Sequence, residues 1–305
     1  MKRSVLPEQS QHRNRMHFRV RGAAGSLTTF VLESGGGGMS CEQWKLLEQQ
    51  LAGSGLVLSY DRAGIGSSAG ATSGTGVGAA AVADRLSSLL EEAGMEAPFI
   101  LVGYSLGGLY ARYFAATRPE YVRGLVLIDP TPLSDSDYGR PLTSISVPVS
   151  IALVHLMAWG LYLFFRSGLA GLFSRTIGRA PGSALPDFVR RSALFRNHRH
   201  VRSVLQELRS MGSIQRAAAS KSLPAGLPVL CISAAMPAKS QDLLQRHHKK
   251  LAQEGAPPWS RHHVIAGASH GTLVTNSEYS KNLGDHILGF AQHIRAQTRI
   301  GDAIR

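Results

Sequence analysis

The sequence predicts an α/β fold built on a largely parallel sheet with helices on both faces. Two observations predict it. Short apolar runs of strand length alternate with longer runs of helical period, and the runs read as strands are nearly continuous in apolar residues instead of alternating. A strand that is apolar on both faces must be covered on both, which helices packed either side of a parallel sheet achieve. The 305 residues are 44% hydrophobic and 17% charged, enough for one sizeable core, and this excludes disordered, collagen-like and disulfide-dependent folds.

Residues 27–32 read as a strand and residues 41–52 as a helix opened by Ser40, whose hydroxyl suits an N-cap. A second strand, 56–60, runs into the turn Asp61-Arg62-Ala63-Gly64-Ile65-Gly66-Ser67, and a helix follows over 78–93. The apolar run 99–102 is too short for a helix. It leads into Gly103-Tyr104-Ser105-Leu106-Gly107-Gly108 and a helix to Thr117, ended by Pro119. Further strands are expected at 124–128, 228–233 and 262–266, and an amphipathic helix at 277–297.

Cys41 and Cys231 lie far apart, and Cys231 sits in an apolar strand, so two reduced thiols in a reducing compartment are expected. The net charge of +13 attracts anionic surfaces of every kind. No zinc-ligand cluster, RNA-reading aromatic motif or basic heptad helix accompanies it, so no nucleic-acid partner is expected. The pairs His247-His248 and His262-His263 send their side chains apart on any regular element, so no metal is expected. Residues 1–15 read as a basic tail; no apolar stretch of signal-peptide length follows the first residues, and a cytoplasmic location is expected.

The chemistry enters at Gly103-Tyr104-Ser105-Leu106-Gly107. A G-x-S-x-G between a buried strand and a helix puts the serine on a sharp, strained turn with its hydroxyl raised above the sheet. The flanking glycines allow strand and helix to approach closely. Alone, the pattern would also fit a phosphate cradle. Here it stands with Glu33-Ser34-Gly35-Gly36, Asp61 to Ser67, Leu125-Val126-Leu127-Ile128-Asp129-Pro130 and Gly267-Ala268-Ser269-His270-Gly271, in that order. In these motifs, from about Thr28 to the last helix, the chain resembles the α/β-hydrolase superfamily and its small serine esterases and lipases.

That resemblance implies a serine nucleophile, an acid and a histidine in chain order, with no cofactor. Ser105 matches the nucleophile and His270 the base. The acid has two candidates. Relatives most often place it just beyond the strand 228–233, where no carboxylate follows until Asp242; some lipases use the end of the preceding strand, where Asp129 stands. Asp129 is favoured, because a carboxylate at a strand's end is held by the sheet; its competing role is to cap the next turn. The oxyanion donors would be the amides of Leu106 and of Gly36, in a loop where most relatives have His-Gly-x. Asp61 to Ser67 reads as architectural, Asp61 and Arg62 pinning the loop through local backbone. Trp44, Trp159 and Trp259 read as packing or lid residues.

The expected organisation is a hydrolase core of residues 16–132 and 224–305 with a helical cap, 133–223, inserted after the strand ending near Asp129. Residues 147–165 carry no formal charge and approach the ~20 residues of a membrane crossing. A single crossing would put Ser105 and His270 on opposite sides, so the segment reads as an apolar lid. Ten arginines and Lys221 against Asp187 and Glu207 follow in 166–221. An apolar helix followed by a cationic stretch suits an anionic membrane surface, which makes residues 147–221 a candidate peripheral contact; a solvated cap face is the alternative. The expected activity is cleavage of a small hydrophobic or lipid-like carboxylic ester through an acyl-enzyme on Ser105. The alternatives are a cofactor-free perhydrolase and a catalytically silent binding module at a membrane.

Overall fold

The structure is a computed structural model. It describes residues 9–13, 16–23, 26, 28–70, 76–133, 156, 159–160, 162–164, 166–167, 196–235, 239–258 and 260–303. Among the described residues eight strands form one sheet: β1 (Gln9–Arg13), β2 (Met16–Arg21), β3 (Thr29–Glu33), β4 (Leu56–Tyr60), β5 (Phe99–Tyr104), β6 (Val122–Ile128), β7 (Val229–Ala234) and β8 (Arg261–Ile265). Their spatial order is β1-β2-β4-β3-β5-β6-β7-β8. The β1-β2 and β2-β4 pairings are antiparallel and all the others are parallel.

The continuous apolar strands are explained by burial on both faces. On one face Val31, Leu101, Leu127 and Cys231 pack against α2 (Ala79–Glu92), α3 (Leu106–Thr117) and α5 (Lys239–Gln253). On the other, Leu32, Ile100, Val126 and Ile232 meet α1 (Lys45–Ala52) and α7 (Ser277–Ala303), which follows the short α6 (Thr272–Thr275). Successive residues of β5 alternate between the two clusters, as the period of a strand requires. Each fully buried aliphatic side chain contributes about 1.5–3 kcal/mol. A further helix, α4 (His198–Ala219), precedes β7 and packs on α3 through Ile214 and Ala218.

The strand order places the site. The chain passes from β3 outward to β4, then back across β3 to β5, so β3 and β5 are neighbours whose connections depart in opposite directions. Sheets of this kind open a crevice at such a switch, beyond the carboxyl ends of the strands. The loop after β3 carries Gly36, and the turn after β5 is Ser105.

Several elements depart from the sequence expectation, among them β2, since no strand was expected before residue 27. Residues 9–13, expected as tail, form the edge strand β1, paired in register from Gln9 opposite Val20 to Arg13 opposite Met16. The residues 239–253, polar and basic along much of their length, form α5. Cys41 and Cys231 are buried free thiols. Among the described residues no helix is long and apolar enough to cross a membrane. Most of 147–165, together with Arg175, Arg179, Asp187, Arg190, Arg191 and Trp259, lies outside the described residues.

Candidate active site

β5 ends at Tyr104 and α3 starts at Leu106, so Ser105 alone makes the turn. It takes φ 53° and ψ −122°, a conformation an L residue keeps only when its neighbours impose it. Here they do. The Ser105 amide donates to Ile128 O at 3.0 Å, and the Ser105 carbonyl accepts from Gly108 N at 2.9 Å and Thr131 N at 3.1 Å. A Cβ on Gly103 would lie 2.6 Å from Gly107 O, and one on Gly107 would lie 2.4 Å from Glu33 O. The close approach inferred from the motif is therefore physical, and it leaves no room for a side chain at either position.

His270 reaches the serine from the turn after β8, which Gly267 opens at φ 75°. Its Nε2 lies 3.0 Å from Ser105 Oγ and its Nδ1 lies 2.6 Å from Asp129 Oδ2. Between a carboxylate and a hydroxyl, the proton of a neutral imidazole belongs on Nδ1, facing the carboxylate; the Nε2 lone pair then faces the serine. The arrangement can thus draw the hydroxyl proton to Nε2 while the carboxylate steadies the cation that results. Asp129 is almost wholly buried and adopts φ 40°. Its amide donates to Ile232 O at 2.6 Å and its Oδ1 accepts from Ala234 N at 3.1 Å, so neighbouring strand β7 fixes it. Asp242 falls on α5, and its side chain lies outside the described residues.

Tyr104, immediately before the serine, escaped notice in the sequence. Its ring stacks on the His270 imidazole at 4.9 Å between centroids, 23° from parallel, and its hydroxyl donates to His270 O at 2.7 Å. Only the variable position of the G-x-S-x-G pattern pointed to it. A second unforeseen group lies behind the acid. His248 Nε2 lies 2.8 Å from Pro130 O, and Ser233 Oγ lies 2.7 Å from both His248 Nδ1 and His262 Nε2. A carbonyl can only accept, so His248 carries its proton on Nε2. Ser233 then donates to His248 Nδ1 and accepts from His262. The His247 and His248 rings meet edge to face at 6.1 Å between centroids, whereas His248 from α5 and His262 from β8 converge on Ser233 of β7. Burial pushes His248 down to about 4, against the pull of Asp129, whose Oδ1 is 3.8 Å away, so the imidazole stays neutral beside the carboxylate.

On the oxyanion side, Leu106 is the first residue of α3, where an amide has no carbonyl partner within its own helix. Gly36 packs against it: a Cβ there would lie 2.8 Å from Leu106 Cδ2. Trp44, buried as expected, donates from Nε1 to Ser34 Oγ at 3.0 Å and so anchors the same loop. Asp61 does pin its own turn, accepting from Ser67 N at 2.9 Å, and also accepts from Cys41 N at 2.7 Å. The Arg62 carbonyl closes the turn by accepting from Ile65 N at 2.9 Å, while its side chain reaches the loop after β3.

A metal has one geometric candidate among the described residues, where donor atoms of His17, Cys41 and Asp61 lie within 4.8 Å of one another. Burial, and then Asp61, push the Cys41 thiol far up, and both Asp61 oxygens already accept backbone amides. A thiol so firmly protonated is a poor ligand, and the cluster reads as structural.

A parallel sheet covered on both faces, with a serine on the strand-to-helix turn after β5 and a histidine beyond the last strand, defines a hydrolase of the α/β class. The chain belongs to the alpha/beta hydrolase family, whose model matches residues 30–280. It is similar to two RutD proteins, whose name assigns them carbamate hydrolysis. That of Rhizobium rhizogenes is 33% identical over 126 residues, 41% of this chain and 47% of that protein; that of Yersinia enterocolitica is 33% identical over 125 residues, 41% and 44%. The chain thus matches less than half the length of these relatives. Among solved structures it resembles a protein from Acinetobacter baumannii described as a lipase, at a TM-score of 0.65 and 14% identity over 96% of this chain and 93% of that one. An epoxide hydrolase from Vigna radiata has a TM-score of 0.64 and 16% identity over 95% and 98% of the two chains. These likenesses show the fold.

Proposed function

We propose that the protein is a serine hydrolase that cleaves carboxylic esters, preferentially hydrophobic ones, through an acyl-enzyme on Ser105. His270 takes the serine proton and returns it to the leaving alcohol, Asp129 orients the imidazole, and the amides of Leu106 and Gly36 receive the oxyanion. Water then enters by the reverse route and releases the acid, so no cofactor is consumed. The observation that carries this reading is the line from Ser105 Oγ through His270 to Asp129, at 3.0 and 2.6 Å.

The serine itself narrows the substrate. A hydroxyl that opened an epoxide or displaced a halide would be left as an ether, which water cannot hydrolyse under these conditions, whereas an acylated serine is an ester that water can release. A carbamate presents the same kind of carbon, and the likeness to the RutD proteins makes carbamates the second class to test.

A fluorophosphonate probe is expected to label the wild type and not Ser105→Ala, and the wild type is expected to hydrolyse p-nitrophenyl esters. An unlabelled, inactive wild type would leave a silent binding module as the reading. The proposed second partner is an anionic lipid surface. Leu156 and Leu163, one heptad apart, are 75% and 63% exposed, and Arg202, Arg209 and Arg216, spaced by sevens along α4, are exposed as well. Salt-sensitive sedimentation with phosphatidylserine vesicles, absent with neutral ones, is the expected result; equal sedimentation with both would end this part of the proposal.

A further inference from the structure

Arg62 is buried, with 4% of its side chain exposed, yet it lies at the centre of a hydrogen-bonded group assembled from three parts of the chain. Its Nε donates to Glu207 Oε1 at 2.7 Å, its Nη1 to Glu33 Oε1 at 2.6 Å and to the carbonyl of Ser34, and its Nη2 to Gly35 O at 2.8 Å. The guanidinium also lies 5.1 Å from the centre of the Tyr110 ring, and Tyr60 donates its hydroxyl to the other oxygen of Glu33. Burial opposes the Arg62 charge, but Glu207 and Glu33 outweigh it and hold the cation firmly protonated.

The two carbonyls belong to the loop that carries Gly36. A peptide unit is planar and trans, so the orientation of the Gly35 carbonyl sets that of the Gly36 N–H on the opposite side of the same plane. Side chains cannot stiffen this loop. A Cβ on Gly35 would come within 2.9 Å of the Tyr104 ring and one on Gly36 within 2.8 Å of Leu106, while Gly37 and Gly38 hold φ of 69° and 88°. Four successive glycines give the backbone maximal freedom where an oxyanion donor must stand still. A fork with several fixed donors can remove that freedom from the carbonyl side.

We propose that Arg62 is a positioning residue for the hydrolytic reaction: by clamping the Ser34 and Gly35 carbonyls it aims the Gly36 amide at the oxyanion, and through Glu207 it makes that aim depend on the seating of α4. The α4 connection is direct elsewhere too, because His200 Nδ1 accepts from Gly66 N at 3.0 Å in the turn that follows Arg62. The inference rests on the hydrolase reading above. It assigns Asp61 to Ser67 more than the architectural part expected from sequence, because the turn delivers its arginine to a different loop.

The test compares wild type, Arg62→Lys and Glu207→Gln, each normalised to sites labelled at end point by the fluorophosphonate. Lysine keeps the charge but cannot span both carbonyls and both carboxylates. Arg62→Lys is expected to lower kcat on an acyl ester about 10- to 100-fold with KM within about threefold, and to weaken a tetrahedral boronic acid inhibitor in proportion to the loss in kcat/KM. Glu207→Gln, which leaves the carbonyl contacts in place, is expected to lower kcat about 3- to 10-fold with KM held. A purely structural role would reduce the labelled fraction without changing kcat per labelled site. Unchanged kcat per site in folded Arg62→Lys overturns the inference. If that variant fails to fold, unchanged kcat and inhibitor affinity in Glu207→Gln overturn it instead. A wild type that neither labels nor turns over sinks the hydrolase reading along with it, whereas active wild type with unaffected variants sinks the inference alone.

Discussion

Ser105 and Asp129 are the two non-glycine residues with positive φ among the described residues, and both stand in the candidate site. Backbone strain of this kind costs on the order of 1–3 kcal/mol per residue and persists where the surroundings impose it. At Asp129 the imposing contacts come from β7, through Ile232 and Ala234, which fixes the carboxylate before any substrate arrives. Asp129→Asn keeps the shape but favours the wrong imidazole tautomer; kcat is expected to fall on the order of 10³- to 10⁴-fold in steady-state ester hydrolysis. Near-normal turnover would return the acid's role to another group such as Asp242. Tyr104→Phe removes the bond to His270 O and keeps the stacking, so a smaller loss, about 3- to 10-fold in kcat with KM held, is expected from the same assay. Ser105 and His270 were legible because each sits in a local motif. The choice between Asp129 and Asp242 was not settled by sequence, since it depends on which strand end lies beside the imidazole. Tyr104 was invisible for a different reason: a contact to a backbone carbonyl 166 residues away leaves no pattern.

Close approach governs the elements as much as apolar burial does. α3 begins so near the end of β3 that Gly107 faces the carbonyls of Glu33 and Ser34, 2.4 and 2.5 Å from where a Cβ would be. Both obstacles are backbone, which cannot rotate away. Gly107→Ala is therefore expected to destabilise the protein by about 1–3 kcal/mol in urea unfolding and to lower activity per folded molecule by displacing the Gly36 loop. An unchanged midpoint would show that the loop gives way freely. Most strands legible in the sequence, β3 to β7, are buried on both faces, where apolar continuity marks them; β8, only partly buried, is the exception. β1 was missed since Gln9–Arg13 contains no apolar residue and is held by its ladder to β2. α5 was missed since its exposed face is basic and two of its buried positions, His247 and His248, are histidines.

For the whole molecule, acidity is the condition that tests the buried histidines. Burial pushes His200, like His248, down to about 4. In the unfolded chain each titrates near ~6.5. Above that pH both states are neutral and the groups contribute no pH dependence. As the pH falls from about 6.5 toward 4 the unfolded chain binds protons that the native state refuses, so stability is lost over that window, roughly 2 kcal/mol per histidine by pH 5, and the loss levels off only below about pH 4. The urea midpoint is expected to fall accordingly between pH 7.5 and pH 5; a flat profile would mean that the two rings protonate in place. The parallel architecture was legible from sequence because it follows from alternation and continuity alone, whereas the buried ion cluster around Arg62 was not, its three contributing segments being brought together only by folding. The three groups of the proposed relay are likewise scattered, at positions 105, 129 and 270. During synthesis Ser105 and Asp129 leave the ribosome well before His270, so the proposed relay can assemble only after the last strand of the sheet has emerged.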